Sequence, residues 1–516
     1  MKMHATGLAG LMLVAGLHGQ ALAQETVLRV SSGASNVSTL DAHRASATDD
    51  KALVGWLYNG LVRFKPGSAD PKDLEPDLAE RWEISPDGKV WTFHLRKGVK
   101  FHGDWGTLDA DDVVYSLQRA GDPKRSTFSS DFSAIDKVEK VDNLTVRIAL
   151  KYPDVNFLGR VCNYHGGNIV SRKAGEELGD RYGAKPVGTG PFTFVEQVTQ
   201  QDVKLAANPD YVRGKPKIDT IMMRAIPSDS ARELAFTSGE LDLFYGKREQ
   251  RWVDSARKRP GFNVEIFQPG EYRLLHINRS QPPLDDIRVR RAIAAAVNVD
   301  DLVRFVGKDV GPKGCSIVPP GYLGEDCTVR YGFDLARAKA LLAEAGHKDG
   351  ITIKAIVSNI SAQQPFMEII QAQLAKAGIK LEMQVVDHAT YQSQSRKDLS
   401  GLVFYGAARF PIADTYLSEF FHSRATVGTP TAATNFSHCA IADKEIEEAR
   451  VAPNADAQKA LWKEAQRKIM DDVCAIPLFE LRQVWARSDK LDFGYELKGA
   501  LNLAPPITEQ TTLKAR

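Results

Sequence analysis

An α/β fold is what this chain of 516 residues predicts, and three observations carry the prediction. Short runs with strand character, Val27 to Val30, Leu144 to Leu150, Ile351 to Val357 and Ile379 to Val386, alternate with helical patterns. Two of those helices have their ends written in the sequence. After Asp286 the apolar residues Val289, Ile293, Ala296 and Val297 recur at helical spacing; after Asp334, Leu335, Ala338, Leu341, Leu342 and Ala345 do so before Gly346, a residue suited to the left-handed turn beyond a helix end. Length is the third observation: at ~150 residues per unit it gives about three structural units rather than a single core.

Taken in chain order, Lys2, the apolar run Leu8 to Leu17 and Ala21-Leu22-Ala23 read as a secretory leader over residues 1–23 with a small-x-small cleavage site. The mature chain then begins at Gln24, with no Cys after the site to carry a lipid, and no later stretch has the eighteen or more apolar residues of a spanning helix. An exported, soluble product is expected. Between Leu74 and Leu117 lies the most informative stretch. Trp82, Ile84, Val90, Trp91, Phe93 and Leu95 are strand formers on either side of Pro86-Asp87-Gly88, whose Pro and Gly set turn angles. Asp109 then stands before Ala110-Asp111-Asp112-Val113, where its carboxylate can cap a helix whose first turn carries further negative charge.

Charge excludes one class of partner. Lys and Arg number 67 against 65 Asp and Glu, with no basic run interleaved with aromatics, so nothing points to nucleic acid. Five cysteines, Cys162, Cys315, Cys327, Cys439 and Cys474, would meet an oxidising compartment, and the odd number leaves one without an internal partner. Cys315 and Cys327 flank the turn-rich Pro319-Pro320-Gly321, so a local bridge is expected there, worth roughly 3 kcal/mol in the chain-entropy view. Cys439 with Cys474 is a second pairing, set against a plain buried role for Cys474 in the apolar run Val473 to Phe479.

A secreted hydrolase would need parts that are missing: there is no Gly-x-Ser-x-Gly elbow and no His-Glu-x-x-His. The paired acids Asp111-Asp112, Asp285-Asp286 and Asp300-Asp301 each sit at a helix start, where the helix dipole accounts for them better than acid–base chemistry does. His102 with Asp104 offers metal-binding atoms, yet Phe101-His102-Gly103-Asp104 reads more simply as a turn. No catalytic residue, metal site or cofactor is expected.

The stretch Leu74–Leu117 closely resembles the signature of the extracellular solute-binding proteins of family 5, the periplasmic peptide-binding type that serves ATP-driven importers. Further segments agree in the family's order: Pro186 to Phe192 (PVGTGPF), Asn208-Pro209-Asp210-Tyr211, Arg232 to Asp242, Asp286 to Ile293 and Asp334 to Leu342. The resemblance implies two lobes joined by two crossing segments, placed near Glu271-Tyr272-Arg273 and Gln483-Val484-Trp485. Lobe one is then residues 24–272 with 486–516, including an extra subdomain at 62–184, and lobe two is 273–485. Function would be binding and closure, since a hinged protein closes only as far as its ligand prefers the closed form. The implied partners are a small solute, short peptides first, and the inner-membrane permease of an importer, with the binding protein itself a monomer.

The same resemblance places ligand-facing residues on loops after strands. Ser35 and Asn36 follow the opening strand and offer small polar groups, or else make local turn bonds. Phe244 and Tyr245 could line the cleft, with core packing the competing role, more so for Phe244. The segment Val403 to Asp414 brings Tyr405, Arg409 and Asp414. It resembles the loop where peptide binders set an Asp against the ligand's ammonium, but here Arg409 falls about at that place. A guanidinium fork favours a carboxylate or phosphate, which raises an anionic, non-peptide solute such as an opine-like conjugate or a metal chelate. The bland alternatives are a surface ion pair for Arg409 and a helix cap for Asp414.

Overall fold

The computed structural model describes residues 25–33, 36–154, 156–428 and 434–514. The expected leader, residues 1–23, lies outside the described residues, as does Ser35. Within the stretch Leu74–Leu117 lie the strands Ala79–Ile84 and Val90–Leu95, with Gly88 at φ +70° in the turn between them. With Thr145–Leu150 and Ile135–Asp142 they make a four-stranded antiparallel sheet. Asp109 caps the helix Ala110–Gly121 reciprocally: its carboxylate accepts the Asp111 and Asp112 N–H groups, and Asp112 accepts the Asp109 N–H at 3.0 Å. Burial at this cap pushes Asp112 up to about 6. Asp286 and Asp334 cap Ile287–Ala296 and Leu335–Glu344, and Asp300 and Asp301 fall in the first turn of Val299–Val306. The acid pairs therefore sit where helix termini want negative charge.

An eight-stranded sheet forms the backbone of the molecule. Its order is Leu402–Ala407, Phe262–Ile277, Ala475–Ser488, Leu243–Tyr245, Val27–Ser31, Thr220–Arg224, Asp202–Ala207 and Phe192–Val198. Val27–Ser31 pairs in parallel with both neighbours, while the long strands Phe262–Ile277 and Ala475–Ser488 run antiparallel with an irregularity between Phe267 and Glu271. A separate parallel pair, Ile351–Ser358 with Ile379–Val386, is joined by the helix Gln364–Lys376, as a parallel connection requires. One apolar core draws on residues 28–223 and 485–507 with Leu243 and Phe267, and others gather residues from 235 to 486. The fold is a two-lobed α/β architecture.

The glycines of the PVGTGPF segment have a packing task. A Cβ on Gly188 or Gly190 would lie 2.1 or 2.6 Å from the Leu57 carbonyl oxygen, and the Gly190 N–H donates to that oxygen at 2.9 Å. The segment thereby fixes the C-terminal end of the helix Thr48–Leu57, which carries Lys51. His102 is buried beside it, with Nε2 3.1 Å from the Gly190 carbonyl and Nδ1 accepting the Gly188 N–H. Cys315 is bonded to Cys327 and Cys439 to Cys474; Cys162 is a buried free thiol. Among the described residues no helix is long and apolar enough to cross a membrane.

Candidate functional site

A cavity of about 750 Å³ opens between two walls far apart in sequence, one from residues 46–165 and the other from residues 396–458. Six basic side chains line it, Lys51, Arg160, Arg396, Arg409, Arg424 and Arg450, against four acids, Asp131, Asp154, Asp414 and Glu419. Polar groups that can follow a hydroxylated or zwitterionic ligand surround them, among them Thr127, Ser130, Tyr152, Tyr405, Ser418 and Gln458. The size suits a small solute.

On the second wall the helix Ala413–Phe420 projects its charges into the cavity. Asp414 does not cap it: the N-cap is Ile412, with no side-chain bond, and Asp414 sits within the first turn. Its buried carboxylate lies 3.5 Å from Arg450 Nε and 3.9 Å from Arg160 Nη2 of the opposite wall. Arg409 donates through Nε to Glu419 Oε2 at 2.5 Å and lies over the Phe420 ring. Arg424 and His422 both meet Glu447.

The first wall is built differently. Arg160 stands within 4 Å of Asp131, Asp154 and Asp414, at 3.6, 3.8 and 3.9 Å. Burial works against its charge, yet these carboxylates hold its pKa above the usual value, and burial raises Asp154. His165 stacks between Phe128 and Tyr164, with ring centroids 3.9 and 3.6 Å away; burial, then Lys51 and Arg409, push it well down, so it stays neutral. Lys51 has its amine 5.8 Å from the Tyr164 ring centroid and, among the described residues, no carboxylate within 4 Å. Burial first, then Arg409, lower it to about 8 against the pull of Glu419 and Asp131. The walls meet where Asn156 Nδ2 donates to Gln458 Oε1 at 3.4 Å and where Phe410 lies against Gly159.

Of the residues expected from sequence, Tyr405, Arg409 and Asp414 come together on this cavity. Asn36 stands elsewhere, accepting the Gln200 N–H at 3.4 Å and lining a small recess with Gln197 and Met223. Phe244 is buried against Phe236, Trp252 and Phe262 and does not face the cavity, a correction that follows from strand alternation: it points to the core and Tyr245 to the other face. Tyr245 reaches Gln483 Oε1 through its hydroxyl at 3.3 Å and packs on Trp485, beside the long strands. Sequence reasoning missed Lys51, Arg160, Arg396, Arg424 and Arg450. Lys51 alone left a trace: it follows Asp49 and Asp50 directly ahead of the apolar run Ala52-Leu53-Val54-Gly55-Trp56-Leu57.

A two-lobed fold and a charged cavity lined from two distant parts of the chain are the features of a solute receptor. The family follows from comparison: residues 73–428 match the bacterial extracellular solute-binding proteins, family 5, and the chain belongs to that family. It is 31% identical to di/tripeptide-binding protein 2 of Pseudomonas aeruginosa, over 82% of this chain and 83% of that one. Among solved structures, it is similar to the periplasmic binding protein MoaA of A. tumefaciens R10 in complex with mannopinic acid, at 47% identity and a TM-score of 0.87, covering 95% of this chain and 100% of that one. It is also similar to DppA of Helicobacter pylori in complex with the peptide STSA, at 27% identity, a TM-score of 0.81 and coverage of 95% and 98%.

Proposed function

We propose that this protein is the periplasmic solute-binding component of an ATP-driven importer, and that its solute is an anionic amino-acid conjugate of the opine kind. The observation that carries the ligand class is the surplus of cations in the interlobe cavity, six against four acids, with no carboxylate among the described residues within 4 Å of Lys51. Such a cavity favours a ligand with more carboxylate than ammonium, and its hydroxyl-bearing lining suits a polyol. The likeness to the mannopinic acid complex, at nearly half of all positions, points the same way. Function on this reading is capture, closure of residues 273–485 onto the remainder about the strands through Glu271 and Gln483, and presentation to the permease, with no covalent step.

Short peptides are the second reading, favoured by Asp414, a buried carboxylate on the cavity able to meet an ammonium group, and by the peptide-binding relatives. Calorimetric titration separates the two. Mannopinic acid should bind at least about tenfold more tightly than neutral di- and tripeptides, a gap of ~1.4 kcal/mol. Tighter binding of the peptides would reverse the order, and turnover of a peptide or ester by the pure protein would favour a hydrolase over both.

A further inference from the structure

Each arginine on the cavity already has a partner for its charge or its hydrogen bonds. Arg160 has Asp131, Arg409 has Glu419, Arg424 has Glu447, Arg450 has Asp414, and Arg396 donates to Gln392 Oε1 at 2.5 Å. Among the described residues, Lys51 is the exception. We infer that Lys51 is the carboxylate receptor of the cleft, the side chain that makes it select anionic amino-acid conjugates over neutral ones. The inference rests on the reading just proposed, because it assigns the solute's negative end to a place within the same cavity.

The geometry is that of a half-buried ammonium held at the cavity wall by a fixed helix. Lys51 belongs to Thr48–Leu57, whose end is clamped by Gly188 and Gly190, so its position does not depend on the solute. Around it stand Tyr164, His165 and Asp131 from its own wall and Arg409 and Glu419 from the facing one. Glu419 is committed to Arg409, and Asp131 lies 3.6 Å from Arg160, so neither acid neutralises Lys51 at contact distance. An ammonium withdrawn from water with no counter-ion is unfavourable, and the same burial makes a carboxylate arriving beside it more favourable than on the open surface. Tyr164 offers its ring face to the same cation, which orients the amine while leaving its protons free to donate. A carboxylate set between Lys51 and the outer nitrogens of Arg409 would draw the two walls together.

The charge of Lys51 also gives the site a pH dependence. Its titration at about 8 in the free protein means that the ammonium is present below that pH and lost above it. A bound carboxylate favours the ammonium and raises the pKa, so affinity should be full below pH 7 and fall as pH passes through 8, and binding near pH 8 should take up protons. His165 stays neutral across this range and adds nothing to it.

The test is calorimetric titration of the protein with mannopinic acid at pH 6.5, 8 and 9.5, in two buffers of unlike ionisation enthalpy. The wild type should take up about half a proton at pH 8 and bind more weakly at 9.5 than at 6.5. Lys51→Met should lower affinity roughly thirtyfold and remove that uptake, while any share from the solute's own ionisable groups persists. Lys51→Arg should retain most of the affinity and move the decline out of the range, since a guanidinium stays charged there. Tight binding by Lys51→Met with unchanged proton uptake overturns the assignment and leaves the opine reading standing. A wild type that takes up no proton at pH 8 overturns it without any variant. A wild type that ignores mannopinic acid and binds di- or tripeptides overturns the opine reading itself, and the role of Lys51 with it.

Discussion

On the wall formed by residues 396–458, three arginines have acids, Arg409 with Glu419, Arg450 with Asp414 and Arg424 with Glu447, and Arg396 bonds the Gln392 amide. On the wall formed by residues 46–165, Arg160 gathers carboxylates and Lys51 has none within 4 Å among the described residues. The difference teaches how to separate charge that holds a wall in shape from charge held for a ligand. A paired guanidinium has already spent most of its attraction locally, whereas an unpaired ammonium keeps it for whatever enters. The two sides also differ in covalent terms, because both disulfides, Cys315–Cys327 and Cys439–Cys474, lie in the part of the chain that carries the paired wall, while the other side holds only the free Cys162.

The covalent difference predicts the largest effect. Replacing Cys439 and Cys474 together by Ser opens a loop of 35 residues and should cost ~3 to 4 kcal/mol, seen in chemical denaturation as earlier loss of the region around residues 396–474 while the core of residues 28–223 holds. Simultaneous loss of both would mean that the sides unfold as one and blunt the contrast. Next, Asp414→Asn strips Arg450 and Arg160 of a shared buried partner and should destabilise the protein by ~3 kcal/mol in urea unfolding. A smaller and opposite effect is expected from Glu419→Gln, which releases Arg409 toward the cavity and should tighten mannopinic acid roughly tenfold, about 1.4 kcal/mol, by calorimetry. Should that variant bind no better, Arg409 belongs to the scaffold alone. Arg424→Ala removes a largely exposed ion pair and should leave the melting temperature unchanged.

Much of the fold was legible because it is local. The Asp109 cap, the Pro86-Asp87-Gly88 turn and the two helices after Asp286 and Asp334 are decided by residues within a turn of one another. The cleft was only half legible. Tyr405, Arg409 and Asp414 lie within one short segment that could be matched to a family loop, and they do reach the cavity. Phe244 shows why strand residues mislead: a one-residue step turns a side chain from core to cleft. Lys51 could not be read at all in this sense, because its importance comes from which acids fail to reach it, and Glu419 and Asp131 arrive from distant parts of the chain.

On the proposed closure, one contact described above would set a limit on motion. Gly159 offers no side chain where Phe410 crosses from the opposite wall, and an added Cβ would stand 2.4 Å from the tip of that ring. The benzyl group therefore settles into a notch only as deep as a missing methyl. Such a notch works like the stop of a hinged door. How far the jaws shut, and so the outline a permease would meet, depends on an empty place in the chain as much as on any residue that touches the cargo.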